Sequence, residues 1–152
     1  MPGASHQSRS SGGRLPDFLI LGEMKCGSTT LWQLLSKHPR IFFPDEKELH
    51  FFNARPDRPL SASDYERCFA SSDSDHLLGE ATPNYLFDED ASVRIHRTIP
   101  EARLIAILRD PVMRAWSHYW HNVRRGREPL SFQRALAAEP ERIRQNVVSR
   151  LQ

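Results

Sequence analysis

Residues 18–31, F-L-I-L-G-E-M-K-C-G-S-T-T-L, constrain the fold more than any other stretch, because an apolar run empties into a loop bounded by Gly22 and Gly27 and then into helical spacing. Glycine accepts the tight, positive-φ turns that such a loop needs. The amides of the loop and of the first helical turn can then point at an anion, where the helix dipole adds to the attraction. Ser28, Thr29 and Thr30 add hydroxyl donors. The spacing G-x-x-x-x-G-[ST] approaches a phosphate-binding P-loop, but the lysine that should follow the second glycine sits inside the loop as Lys25. Strand, glycine loop and helix in this order open an α/β unit.

A chain of 152 residues with 39% hydrophobic content is long enough for one core, hence one domain or one large piece of a domain. The net charge is +2 and no long basic stripe exists, so a compact anion is a better partner than a nucleic-acid backbone. Cys26 and Cys68 have neither C-x-x-C nor Cys/His ligand spacing, which argues against a disulfide framework or a zinc site and fits a reducing compartment. Residues 1–14 are rich in Ser, Gly and His and are expected to be a disordered tail, leaving 15–152 as the folded part. They lack the apolar centre of a signal peptide, and no run approaches a membrane span. A cytoplasmic, bacterial-type location is the expectation.

The apolar run at 15–21 predicts a buried parallel strand. From Ser28 onward Leu31, Leu34 and Leu35 fall on one helical face, and Pro39 ends the helix. After a short apolar segment at 40–43, D-E-K-E-L-H-F-F at 45–52 sets charges directly against two phenylalanines. Two readings stand. One is a surface loop anchored by Phe51 and Phe52 with solvated charges; the other is an extended, site-lining segment that puts Glu48 and His50 on the same side, both able to serve in proton transfer.

Residues 53–74 predict a surface connection with one short helix at 63–69, capped by Ser61 or Ser63. A second strand at 77–82 turns at Pro83-Asn84, with Tyr85 and Phe87 packed beneath it. Asp88 or Asp90 can cap the next helix, whose face is Ala91, Ile95 and Ile99. The run at 104–108 is the most hydrophobic of all and predicts a central buried strand, followed by Asp110 as N-cap and Pro111 as first residue of a helix that runs to Gly126. Arg109 then faces the crevice where open α/β sheets bind ligands, or else pairs with a local carboxylate at the surface. Two further helices are expected at 132–138 and 141–151, the second with Ile143, Val147 and Leu151 on one side. About three convincing strands are few for a parallel sheet. The expected class is α/β, a P-loop-type three-layer parallel sheet flanked by helices, incomplete at its C-terminus.

A nucleoside-triphosphate hydrolase places its lysine after the second glycine, where this chain has Ser28. Taken together, G-E-M-K-C-G-S-T-T-L, E-L-H-F-F, G-E-A-T-P-N-Y and R-D-P-V-M-R-A-W-S-H-Y resemble the sulfotransferases that use 3′-phosphoadenosine 5′-phosphosulfate (PAPS), especially the sugar-sulfonating branch. The likeness covers residues 15–136, and four motifs in the right order are far more specific than one glycine loop. It implies transfer of a sulfuryl group from PAPS to a hydroxyl or amine of a saccharide or small-metabolite acceptor. It also implies that Lys25, Cys26, Gly27, Ser28, Thr29 and Thr30 hold the 5′-phosphosulfate, with Lys25 meeting the charge on the leaving oxygen. Arg109 and Ser117 would take the 3′-phosphate, Glu48 would be the general base, and His50 would orient the acceptor or share the proton. No metal is expected. Heparan-type members usually carry a lysine where this chain has Ala81, which points to a less acidic acceptor, and neither nucleic acid nor a membrane is an expected partner. A truncated, inactive nucleotide-binding fragment and a P-loop kinase are the alternatives.

Overall fold

The computed structural model describes residues 13–53 and 59–150, with side chains up to residue 145. Residues 1–12, most of the expected tail, lie outside the described residues, whereas Arg14 is already tied to the fold by its bonds to Ser72 Oγ and to the Asp73 and His76 carbonyls. By its internal contacts the chain divides into two compact units, Met1–Leu108 and Arg109–Gln152.

Among the described residues the first unit holds four strands, β1 (Phe18–Gly22), β2 (Ile41–Phe42), β3 (Leu77–Ala81) and β4 (Arg103–Ile107), paired in parallel in the order β2-β3-β1-β4. Its helices are α1 (Ser28–Leu35), α2 (Ala62–Arg67) and α3 (Glu89–Thr98), with a 3-10 turn at Pro83–Leu86. Strand alternation divides the burial of β1 between two layers. Phe18 and Ile20 pack with Phe43 and with Leu31, Trp32 and Leu35 of α1. Leu19 and Leu21 face Tyr65, Phe69 and the α3 stripe of Ala91, Ile95 and Ile99. The α/β sheet flanked by helices matches the expected class.

Local chemistry sets the helix starts. Ser61 and Asp64 form a reciprocal capping box on α2, so Ser61 is the cap of the two serines considered. Asp88 Oδ1 accepts from Asp90 N and Ala91 N at 3.1 and 3.2 Å at the start of α3.

Several sequence expectations are corrected. Among the described residues the run at 104–108, expected as a central buried strand, lies last in the sheet beside β1, with Leu104 55% exposed. Residues 41–42, too short to count as a strand in the sequence, add a fourth by pairing with Leu77 and Leu78. The stretch at 53–74 is more than a surface connection, since Tyr65 and Phe69 are fully buried core residues. Phe87 is 62% exposed, and only Tyr85 packs inward. On α1 the inward face is Leu31, Trp32 and Leu35, and Leu34 is 60% exposed, because it stands about 100° from Leu35 around the helix.

In the second unit Asp110 Oδ1 accepts from Met113 N at 2.9 Å and caps α4 (Pro111–Arg124), as expected, and Gly126 follows with φ 67°. The two helices expected beyond it are one, α5 (Phe132–Arg150), continuous through Pro140. A proline removes one helical bond; Arg142, just past it, is held by Glu128 through two bonds at 2.5 and 3.2 Å, which secures the following turn. Of the expected Ile143, Val147 and Leu151 side, Val147 and Leu151 have side chains outside the described residues, and Ile143 is exposed. Phe132 packs edge-on against Trp116 and Tyr119. Among the described residues no helix is long and apolar enough to cross a membrane.

Phe69→Ala should lower unfolding free energy by about 3–5 kcal/mol and Leu34→Ala by under about 0.5 kcal/mol in urea titrations. Equal losses at the two positions would contradict the observed α1 face.

Candidate functional site

β1 leaves the sheet through Gly22, whose φ is 154° and where an added Cβ would lie 2.6 Å from the Ile107 carbonyl oxygen of β4. Only glycine fits so close to a neighbouring backbone. Residues 23–27 then turn tightly, with Cys26 N–H donating to Glu23 O at 3.2 Å. Gly27, at φ 104°, is the N-cap of α1 and brings no side chain to close the helix end. The first amides of α1 therefore keep their donors for an outside acceptor. Lys25 and Cys26 are half-buried, Ser28 is 6% exposed, and Thr29 and Thr30 are exposed. Lys25 itself sits at φ 70°.

The register pairs Ile20 with Ala81, so β1 and β3 end side by side. Glu48 N–H donates to the Ala81 carbonyl at 3.2 Å, which brings the 47–53 segment to the same carboxyl edge as the 23–27 loop. The crevice beyond the carboxyl ends is where open parallel sheets bind ligands.

The extended conformation expected around Glu48 and His50 is corrected. Their φ angles are 66° and 57°, in the left-handed region, and it is this winding that turns both side chains to one side. His50 Nε2 lies 3.8 Å from Glu48 Oε2, and Lys47 Nζ lies 2.5 Å from Glu48 Oε1. His50 Nδ1 lies 3.2 Å from Asn53 Oδ1, an acceptor that calls for the ring proton on Nδ1. Glu48 is 43% exposed at the side chain, so it can meet a ligand from solvent.

Beneath this segment lies a group that sequence reasoning missed. Glu80 is 1% exposed and accepts from Tyr65 Oη, from Tyr85 Oη at 2.7 Å and from Thr82 Oγ1 at 2.6 Å. Burial pushes its carboxyl up from the ordinary range, and the three hydroxyl bonds oppose that rise. Burial first, and then the Glu80 charge, push the Tyr65 and Tyr85 phenols up. The available signal was a lone carboxylate between Gly79 and Ala81 in a strand with no polar alternation. Lys47 and Asn53 were also missed, and nothing but proximity to Glu48 and His50 marks them.

Arg109 and Ser117 belong to the second unit. Arg109 is exposed and directly precedes the cap Asp110, and Ser117 is half-buried within α4.

The chain is 37% identical over 111 residues to the membrane-associated sulfotransferase kil1 of Dictyostelium discoideum, a match covering 72% of this chain and 23% of that protein. It is 36% identical over 138 residues to the bifunctional heparan sulfate N-deacetylase/N-sulfotransferase 3 of Homo sapiens, covering 84% of this chain and 16% of that one. Among solved structures, a sulfotransferase from Alicyclobacillus acidocaldarius superposes with a TM-score of 0.78 at 39% identity, covering 87% of this chain and 60% of the other. This chain belongs to the sulfotransferase family. No protein-family model matches it. The chain spans less than a quarter of either curated relative.

The buried tyrosines make a pH test. Unfolded phenols ionise near 10 while Tyr65 and Tyr85 hold their protons to higher pH, so the unfolded state sheds protons first and stability falls as pH rises past about 10. The melting temperature should drop over that range and drop less steeply in Tyr65→Phe. Tyrosinate absorbance from these phenols appearing without unfolding would contradict the buried cluster.

Proposed function

We propose that this chain carries the donor-binding and proton-accepting apparatus for transfer of a sulfuryl group from PAPS to a hydroxyl or amine of a saccharide. One observation carries the reading. Among the described residues, the non-glycine residues with positive φ are Lys25, Glu48 and His50, the same three that the motifs single out for chemistry. Such conformations cost roughly 1–3 kcal/mol each and persist where function uses them.

A phosphosulfate suits the loop. A Cβ at Gly27 would meet nothing within 4 Å, so the α1 N-terminus is open to an anion. The first-turn amides, the hydroxyls of Ser28, Thr29 and Thr30 and the backbone at Cys26 offer donors around it, and Lys25 supplies the cation. Arg109 and Ser117 are assigned to the 3′-phosphate, for which a guanidinium fork is better shaped than an ammonium.

In the proposed reaction the acceptor oxygen or nitrogen bonds to sulfur as the bond from sulfur to the bridging phosphate oxygen breaks. Glu48 takes the acceptor proton, and Lys25 stabilises the charge left on the bridging oxygen. Lys47 Nζ holds the Glu48 carboxylate at Oε1, and His50 stands on the Oε2 side. The relatives named for heparan sulfate support a saccharide acceptor. Ala81, buried among Phe18, Ile20 and Phe43, contributes no charge at the position where a lysine would greet an acidic polymer, which favours a less sulfated sugar.

Calorimetric titration with 3′,5′-adenosine diphosphate beside ATP with magnesium tests the donor. The doubly phosphorylated nucleotide should bind at least about tenfold more tightly, and Lys25→Ala should weaken it by about tenfold or more. Tight binding of ATP alone would favour a kinase instead. Glu48→Gln should cut sulfuryl transfer by about 10²–10⁴-fold while leaving nucleotide binding unchanged.

A further inference from the structure

The Glu80 carboxylate takes no part in the chemistry proposed above, yet the bonds it accepts lead to the backbone that carries that chemistry. Thr82 and Tyr85 each have a single hydroxyl proton, and both protons are directed at Glu80 Oε1. A hydroxyl whose proton is committed offers only its lone pairs to other partners. Those lone pairs accept the His50 N–H at Thr82 Oγ1, 3.4 Å away, and the Phe52 N–H at Tyr85 Oη, 3.3 Å away. Tyr65 donates to the other carboxyl oxygen and ties it to the residues of α2. With the Glu48 N–H on the Ala81 carbonyl, alternate amides at 48, 50 and 52 are all held by residues that follow Glu80 in the chain.

We propose that Glu80 is a positioning residue, whose buried carboxylate turns the Thr82 and Tyr85 hydroxyls into acceptors that hold residues 48–52 in the winding that presents Glu48 and His50, the two residues of this segment with left-handed φ. Its consequence for sulfuryl transfer rests on the function proposed above. An apolar residue would fill the same space without giving up hydration, so the buried carboxylate signals a demand for directed hydrogen bonds. A purely apolar support would leave each hydroxyl free to turn its proton toward the segment and repel an N–H. The Oε1 atom prevents that at two points simultaneously. Among the described residues no buried side-chain nitrogen or oxygen lacks a partner, so the network is closed.

Amide hydrogen exchange of the intact chain, followed by NMR, reads the tethers one at a time. Thr82→Val should speed exchange at His50 by about tenfold and Tyr85→Phe should do the same at Phe52, each the loss of one hydrogen bond. Glu80→Gln, which puts a weaker neutral acceptor at the hub, should speed both together while Ile20 in β1 keeps its wild-type rate. In transfer assays the Glu80→Gln chain should show kcat lowered about tenfold with KM for donor and acceptor unchanged. Wild-type exchange at both amides in Glu80→Gln, or acceleration at Ile20 equal to that at His50, would overturn the inference, as would a KM effect without a kcat effect. Exchange is measured without donor or acceptor, so failure of 3′,5′-adenosine diphosphate to bind the wild-type chain would sink the functional reading and leave the tether pattern to be judged separately.

Discussion

A strand hydrogen-bonded on both edges and buried on both faces has no freedom in where its loop begins, and β1 is such a strand. It lies between β3 and β4, and its side chains alternate into the α1 layer and the α2–α3 layer. Gly22 then passes against the Ile107 carbonyl with no room for a side chain, so the loop leaves at one point and in one direction. The end of β3 beside it is placed by the same register and receives the Glu48 amide. The proposed anion cradle and the proposed proton acceptor thus share one edge because one strand fixes both.

That edge holds its functional side chains at some conformational cost. Glu48 and His50 in left-handed backbone cost roughly 1–3 kcal/mol each. Three backbone amides in the same segment find acceptors, each bond contributing about 0.5–1.5 kcal/mol net. The two sums are of the same size, so the winding depends on its tethers and would relax without them. Arg94 adds a fourth hold through Nη1 on the Phe52 carbonyl at 2.7 Å, from the α3 side. Strain sits in the proposed site, and its support comes from the strand and helix behind.

What the sequence made legible follows the reach of its physical signals. Period and punctuation mark β1, the glycine loop, α1, α3 and α4, and the Ala91, Ile95 and Ile99 face appears as read, because these depend on near neighbours in the chain. The order of strands does not. Leu104 to Leu108 has the composition of a centre strand and, among the described residues, lies last in the order, since the crossover through α3 carries it past β1. The pairing of Glu48 with His50 was legible from spacing, but by the wrong route: a left-handed segment, not an extended one, turns them together. Glu80 was invisible as a site because its partners come from positions 65, 82 and 85, and no local pattern announces a carboxylate surrounded by distant hydroxyls.

The displaced lysine separates the chemistry of this loop from that of a nucleotide hydrolase. A lysine after the second glycine would stand at position 28, the first residue of α1, where the side chain is buried against the fold and a serine fits. Moved three residues earlier, the cation is carried by a half-buried, left-handed loop position, and the helix end is left to backbone amides and hydroxyls. In the proposed function such a cradle divides its labour, with amides to hold the anion's oxygens and a mobile-stemmed ammonium able to follow charge onto a leaving oxygen. A sulfuryl group carries less charge than a phosphoryl group, so a single cation on the leaving side meets more of its demand. Under the proposed transfer the positive-φ lysine follows from where that charge would appear, and Gly27, which brings no side chain to the helix end, is its companion.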